Sequence, residues 1–276
     1  MTKTRDEIAR YQSEVGPPLV IDSLPIRDVP SFEATQNVQV LTIMENPTRS
    51  LDFLDPLAER IRQLVVTNMD IRDVSTVAKF SDLRYLSLFI GKIRKNGGFD
   101  AQRLRLLKTY AFRWEEGIAN VAELPSLTSL MVERPKPRLT DIIEGSPNLR
   151  NIDIRTAGKI ESLTFPSGSE LGDLSISKAK LPGGLHNIPS HGSFKRLTLQ
   201  SVDKMPLSTF ENLPSSLETI VLEDGGDMGE AQWLLNLDGL KKVLLIGNTR
   251  ISSATASQLK EKIPEFTAPQ VRNLLE

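Results

Sequence analysis

A single spacing constrains this chain more than any other feature. The phrase L-x-x-L-x-L, seen plainly in Leu127, Leu130 and Val132, recurs from end to end. Taking its second apolar position as a ruler gives Leu41, Leu64, Leu86, Leu107, Leu130, Ile152, Leu174, Leu197, Ile220 and Val243, with every step between 21 and 23 residues. A fixed period of roughly 20–29 residues marks a stacked array, in which no unit buries its apolar side alone and each is completed by its neighbours. A core of that kind can extend over 276 residues without dividing into ordinary globular domains.

Composition narrows the functions open to such an array. With 34 basic against 35 acidic residues and a net charge of -1, nothing favours nucleic acid or an anionic membrane surface. The absence of cysteine excludes disulfide scaffolds, thiolate metal sites and a cysteine nucleophile. Met1 to Val15 is polar and charged, without the apolar stretch of a signal peptide. The chain has no run of about 18 apolar residues with which to span a bilayer. The expectation is a soluble cytoplasmic protein, monomeric on its own.

The units Leu83-Arg84-Tyr85-Leu86-Ser87-Leu88, Leu149-Arg150-Asn151-Ile152-Asp153-Ile154 and Leu217-Glu218-Thr219-Ile220-Val221-Leu222 resemble the leucine-rich repeat family. So do their lead-ins, Leu124-Pro125-Ser126-Leu127, Ser146-Pro147-Asn148-Leu149 and Leu213-Pro214-Ser215-Ser216-Leu217, and the likeness runs over about residues 37 to 266. The resemblance implies an α/β solenoid: a horseshoe with a parallel concave sheet of about ten strands and a convex side of mixed helix, loop and strand. Lack of cysteine sets the chain apart from secreted members with disulfide-stapled caps and closer to bacterial cytosolic ones. It departs from the family in one respect. The Asn expected five residues after the ruler position is present only at Asn46 and Asn248.

The expected organisation is an N-terminal extension and cap over 1–36, about ten repeats over 37–250, and a C-terminal capping helix and tail over 251–276. Residues 6 to 11 could form a short helix before Gly16-Pro17-Pro18, and Leu19 to Phe32 reads as extended, Pro-spaced cover for the first repeat. Helical spacing is expected over Leu51–Arg60, Val74–Phe80, Ala119–Leu124 and Asp227–Leu237, and over Ser252–Ile263 up to Pro264. An extra apolar unit, Ile160, Leu163 and Phe165, falls 11 residues from each neighbouring ruler position and reads as a convex-side strand. Residues 177–193 read as irregular loop.

No catalytic or metal constellation emerges. His186 and His191 share a loop without a carboxylate or thiol nearby, whereas a metal site needs three or four convergent ligands. Glu223, Asp224, Asp227 and Glu230 surround Gly225-Gly226 without the spacing of a calcium loop, and read as a solvated turn. The Gly pairs at 97–98, 183–184 and 225–226 lie in no phosphate-binding frame. No cofactor is implied.

The concave face remains. Residues flanking each ruler position alternate away from the core, and Tyr85, Phe89, Leu106, Tyr110 and Met131 then gather in three adjacent rows, rimmed by Lys108, Glu133, Asp153 and Arg155. An apolar cluster with a charged rim has the make-up of a protein-binding hot spot. Tyr85, Phe89, Lys108, Tyr110, Met131, Glu133, Asp153 and Arg155 are therefore the candidate partner-binding residues. Trp114 either extends that patch or fills the core, and Trp233 reads as core. The expected function is non-enzymatic binding of a protein partner. Among family roles the resemblance implies an immunity protein that neutralises a toxin; the alternative is a substrate-recognition or regulatory adaptor.

Overall fold

The computed structural model describes residues 19–22, 38–45, 47–94, 99–121, 123–189, 192–268 and 271–272. The expected helix at 6–11, the positions Leu24, Ile26, Val29 and Phe32, the Gly97-Gly98 pair, Asn46 and His191 lie outside them. The chain forms two compact units, Met1–Leu127 and Thr128–Glu276.

The first unit carries the parallel strands β1 (Leu19–Asp22), β2 (Val40–Met44), β3 (Gln63–Asn68), β4 (Tyr85–Ile90) and β5 (Thr109–Arg113). Each bonds to the strand one repeat away, with Leu19 opposite Leu41, Leu41 opposite Leu64, Leu64 opposite Leu86 and Leu86 opposite Tyr110. Alternation does the rest. Leu41, Ile43, Leu64, Val66, Leu86, Leu88, Tyr110 and Phe112 are fully buried on one face, each buried aliphatic contributing about 1.5–3 kcal/mol. The residues between them form what is called here the inner face.

Two expectations change in this unit. Residues 19–22, read as part of a cap, supply a strand in the same phase as the repeats. The ruler position of the fifth strand is Tyr110, not Leu107. Leu107 ends a turn, its amide bonded to the Leu104 carbonyl at 3.1 Å, as that of Leu83 is bonded to Phe80 at 3.1 Å. It is therefore the lead-in residue of its repeat, and Tyr110 takes the buried place that leucine holds in neighbouring strands.

The return segments of this unit are short 3-10 turns at Asp52–Leu57 and Ser75–Lys79 where helical spacing was expected, with a third at Ala101–Arg103. A repeat of this length leaves little room for more. Successive returns are tied by side chains: the Thr76 hydroxyl donates to the Asp52 carboxylate at 2.8 Å. Hydrogen bonds from Ser50 and Thr76 hold that carboxyl below its ordinary value. Among the described residues of 119–124 there is no helix; Val121 and Leu124 close turns instead.

In the second unit β6 (Ser129–Glu133), β7 (Asn151–Arg155), β8 (Gly158–Lys159), β9 (Leu163–Thr164), β10 (Asp173–Lys180), β11 (Leu185–His186), β12 (Arg196–Asp203), β13 (Thr219–Glu223) and β14 (Lys242–Ile246) follow in order. After β15 (Ile251–Ser252) comes β16 (Glu265–Thr267). The main ladder aligns Leu130, Ile152, Leu174, Leu197, Ile220, Val243 and Phe266 through β6, β7, β10, β12, β13, β14 and β16. The tail thus adds one more strand in repeat phase. Off the main ladder β9 pairs in parallel with β11, Leu163 opposite Leu185, so that of the extra unit at 160–165 only Leu163 and Thr164 form a strand. Residues 177–193 are more regular than expected: β10 runs to Lys180, and β11 follows.

Among the described residues three α-helices complete this unit: α1 (Leu139–Glu144), α2 (Leu207–Glu211) and α3 (Ser253–Lys262). The segment at Gln232–Asn236 is a 3-10 turn. Helix α3 begins where the Ser252 hydroxyl accepts from the Thr255 amide at 3.1 Å and ends before Pro264, as its cap and breaker dictate.

Candidate functional site: the inner face of the strands

In the first unit the inner rows are set by register. Val20, Thr42, Val65, Ser87 and Ala111 form one row across β1 to β5, and Asp22, Met44, Thr67 and Phe89 form another. Tyr85 stands between Gln63 and Thr109 in a third. Val20 and Met44 are 50% and 39% exposed, and Met69, just past the end of β3, is 50% exposed. Val65, Tyr85 and Phe89 are half-buried. The Arg113 guanidinium reaches Met69 Sδ at 3.5 Å. Beside Phe89 the small residues of the middle row, Ser87 and Ala111, are buried.

Tyr110 is removed from the site. It is 0% exposed, its hydroxyl donates to the Ile118 carbonyl at 3.0 Å, and its ring stacks on Phe99 and Phe112 at 5.5 and 4.6 Å between centroids. Burial pushes its ionisation well above the usual tyrosine value. The inner residues of β5 are Thr109, Ala111 and Arg113, not Leu106, Lys108 and Tyr110. Leu106 lies exposed in the preceding turn, and Lys108 sits one residue before the strand. Val40, placed on the inner face by sequence, is buried. Trp114 belongs to the core, tilted against Phe112 with its indole N–H on the Glu116 carboxylate at 2.9 Å. Trp233 is likewise buried.

In the second unit Met131 faces Asp153 across adjacent strands, and Glu133 faces Arg155, all on the inner face. The charges there are partly self-satisfied. Arg155 Nη2 and Nε lie 2.7 and 2.9 Å from Asp153 Oδ2 on its own strand, and Glu133 pairs with Arg134 at 3.6 Å. Further along, the rows turn to Ser175, Ser177, Thr198 and Gln200, then to Val221, Leu244 and Ile246.

A second alignment runs along the strand entrances, one residue before each strand. In the first unit it holds Arg62, Arg84 and Lys108, stitched by the Arg84 amide to the Arg62 carbonyl at 2.8 Å and the Lys108 amide to the Arg84 carbonyl at 2.9 Å. In the second unit it holds Arg150, Gly172, Lys195, Glu218 and Lys241, joined by the same backbone stitch. Glu218 accepts from Lys241 at 2.8 Å and from Lys195 at 2.9 Å. These two hydrogen bonds, Lys241 first, lower its carboxyl to about 2. Each of these cations stands two residues before the ruler position of its strand, a phase the sequence carries outside the flanking positions of the inner face.

Other candidates carry little chemistry. His186 is exposed on β11, away from the inner rows. In the acidic turn, Asp224 Oδ1 accepts from the Asn248 amide at 3.2 Å and Asp227 Oδ1 from that of Gly229 at 2.9 Å. Among the described residues no three His, Asp or Glu side chains are grouped to hold a metal. A cleft of about 590 Å³ opens between α2 and the Gln232–Asn236 turn, on return segments rather than on the inner face. Phe210 and Trp233 stack in its wall at 4.6 Å, and Trp233 Nε1 is buried without a hydrogen-bond partner.

With the ladder and its inner face in view, comparison with solved structures is informative. A leucine-rich repeat protein of Leptospira interrogans superposes with a TM-score of 0.54 over 92% of this chain and 78% of that one, at 13% sequence identity. The fold is the leucine-rich repeat fold. An internalin of Listeria monocytogenes aligns over 92% of this chain and 87% of its own, at 15% identity and a TM-score of 0.44. No family model matches the chain, and no curated protein matches it in sequence.

Leucine-rich repeats usually fix their turns with a recurrent Asn, and at the last repeat two neighbours share the task here. Asn248 Oδ1 accepts from the Gly226 amide at 3.0 Å. Buried Thr249 accepts from the Gly225 amide at 2.9 Å and donates to the Leu222 carbonyl at 3.1 Å. No helix among the described residues is long and apolar enough to cross a membrane.

Proposed function

We propose that this leucine-rich repeat chain is a non-enzymatic binding module that holds a protein partner on the inner face of its strands. The observation that carries this reading is the cluster on β2 to β4. Met44, Val65, Tyr85 and Phe89 present apolar surface on the sheet face turned away from the core, with Val20 and Met69 beside them. Solvent does not reward that arrangement, and a partner surface does. Lys108 at the entrance of β5 belongs with this cluster, and the second unit, taken by itself, has Met131, Glu133, Asp153 and Arg155 as its proposed contact residues. Burying an anchor such as Phe89 in a partner pocket is worth about 2 kcal/mol or more, roughly thirtyfold in affinity.

The partner proposed is a toxin that the chain neutralises within the cytoplasm as an immunity protein. Support for this refinement comes from the resemblance to cysteine-free bacterial repeat proteins.

The test is capture from lysate of the native cell with wild type and with Phe89→Ala, Val65→Ser and Met44→Ala combined, both checked for equal melting temperature. A protein held by wild type and lost by the variant supports inner-face binding. Equal capture by both moves the site elsewhere. The toxin refinement is tested separately, by adding the chain to a toxin encoded beside it. Absence of inhibition at stoichiometric excess rejects it.

A further inference from the structure

The row of side chains at the strand entrances is met by carboxylates in the second unit, whereas in the first unit Arg62 and Arg84 are not so met among the described residues. In the second unit each of its cations has a carboxylate: Arg150 Nε lies 3.0 Å from Glu170, while Lys195 and Lys241 share Glu218. In the first unit the equivalent side chains of Arg62 and Arg84 make no hydrogen bond or ion pair among the described residues, and Lys108 extends the row by one strand. Adjacent strands stand only about 4.8 Å apart, so like charges directly opposite one another oppose the fold unless something offsets them.

The position of this row is also informative. Arg84 precedes inner-facing Tyr85, and Arg62 precedes Gln63 in the same row, on the strands that carry Val65 and Phe89. A partner seated on those apolar side chains would therefore meet the guanidinium groups at its margin. A guanidinium offers paired N–H donors that match a carboxylate bidentately.

We propose that Arg62 and Arg84, with Lys108, recognise aspartate and glutamate side chains on the rim of the partner's contact surface, so that the partner is a protein with an acidic edge. The inference rests on the inner-face reading and gives it chemistry. Three cations beside an apolar cluster, in a chain of net charge -1, favour a protein over a nucleic acid, which calls for a longer basic track.

The experiment uses the full chain and two synthetic peptides of equal length, one alternating leucine with glutamate and one leucine with lysine. Binding is measured by calorimetry at low and at 0.5 M salt, with a single-stranded oligonucleotide of matched charge as a third probe. The glutamate peptide should bind at least tenfold tighter than the lysine peptide, and the margin should shrink at high salt. Arg62→Gln with Arg84→Gln should abolish the preference. Arg150→Gln with Lys195→Gln should leave it unchanged, and Arg62→Lys with Arg84→Lys should retain part of it.

Equal binding of both peptides, absence of binding by either, or a preference that survives in the Arg62→Gln, Arg84→Gln variant overturns the proposal. Tighter binding of the oligonucleotide through the same two arginines does so as well. If both peptides bind equally and Phe89→Ala weakens both, the inner face stands and the acidic-partner inference fails. If Phe89→Ala changes nothing while the arginine variant still removes the preference, the inference stands and the inner-face reading falls.

Discussion

Tyr110 shows what one residue can hide. Its pattern position belongs to leucine, and the ring fits there because its hydroxyl finds the Ile118 carbonyl. Tyr110→Phe should cost about 1 kcal/mol by removing that bond, and Tyr110→Ala about 3–5 kcal/mol by opening a cavity, both read from urea unfolding. Burial raises its ionisation above the unfolded value, so its contribution to stability is complete below about pH 10 and is lost as pH rises further. In an ultraviolet titration one of the three tyrosines should therefore ionise only together with unfolding; ordinary titration of all three in the folded chain would contradict the burial. Thr156 makes the opposite point. It sits at φ 50°, in the left-handed region that β-branched residues resist. Thr156→Asn should gain roughly 0.5–1 kcal/mol, visible as a rise in melting temperature.

At the scale of elements, most strands were legible because their apolar alternation sits on a repeating period. The register slipped at one place, where Leu104 and Leu107 imitate the repeat phrase and the true strand spells it with Tyr110 and Phe112. Aromatic residues in leucine positions defeat a search for leucines, and the slip moved Tyr110 from core to surface in the candidate site. Phe89, Tyr85, Met131, Glu133, Asp153 and Arg155 kept their inner positions because their own strands were phased correctly. The strand exits were not legible at all. Glu45, Arg134, Thr156 and Asp224 turn left-handed directly after their strands, and Lys178 and Ser201 do so within β10 and β12; of these and Gly247, which takes the same place, most are residue types that do not announce such a turn.

Ties between elements were equally silent, because they depend on which side chains the stack brings abreast. Glu218 is the clearest case, bridging the strand entrances on either side. Its carboxyl is depressed to about 2 from an ordinary 4.5, so the stability it adds is present above pH 4.5 and lost as pH falls through 2. The difference in melting temperature between wild type and Glu218→Gln should therefore narrow over that window and shrink with added salt. A difference that is constant from pH 7 to pH 2 would mean that the two lysines do not act on this carboxylate.

For the molecule as a whole, the consequence of the fold is locality. Every ladder strand pairs with the strand of a neighbouring repeat, so stability is a sum of repeat and nearest-neighbour terms rather than the property of one shared core. Ile220 in the second unit is a fully buried residue of β13, with β12 on one side and β14 on the other. Ile220→Ala should cost about 2–5 kcal/mol, and the loss should not spread evenly. Amide hydrogen exchange should show the largest fall in protection in β12, β13 and β14, with less at β10 and least at β6. Denaturant unfolding of the variant should broaden, since weakening one interior repeat separates transitions that strong coupling held together. A uniform fall in protection over residues 128–276 with an unchanged slope would show instead that this unit unfolds as one cooperative body. The same locality separates binding from stability: substitutions at Phe89, Arg62 and Arg84 act on exposed or half-buried side chains and should leave exchange protection of the ladder intact, so a lost partner there would report on recognition alone.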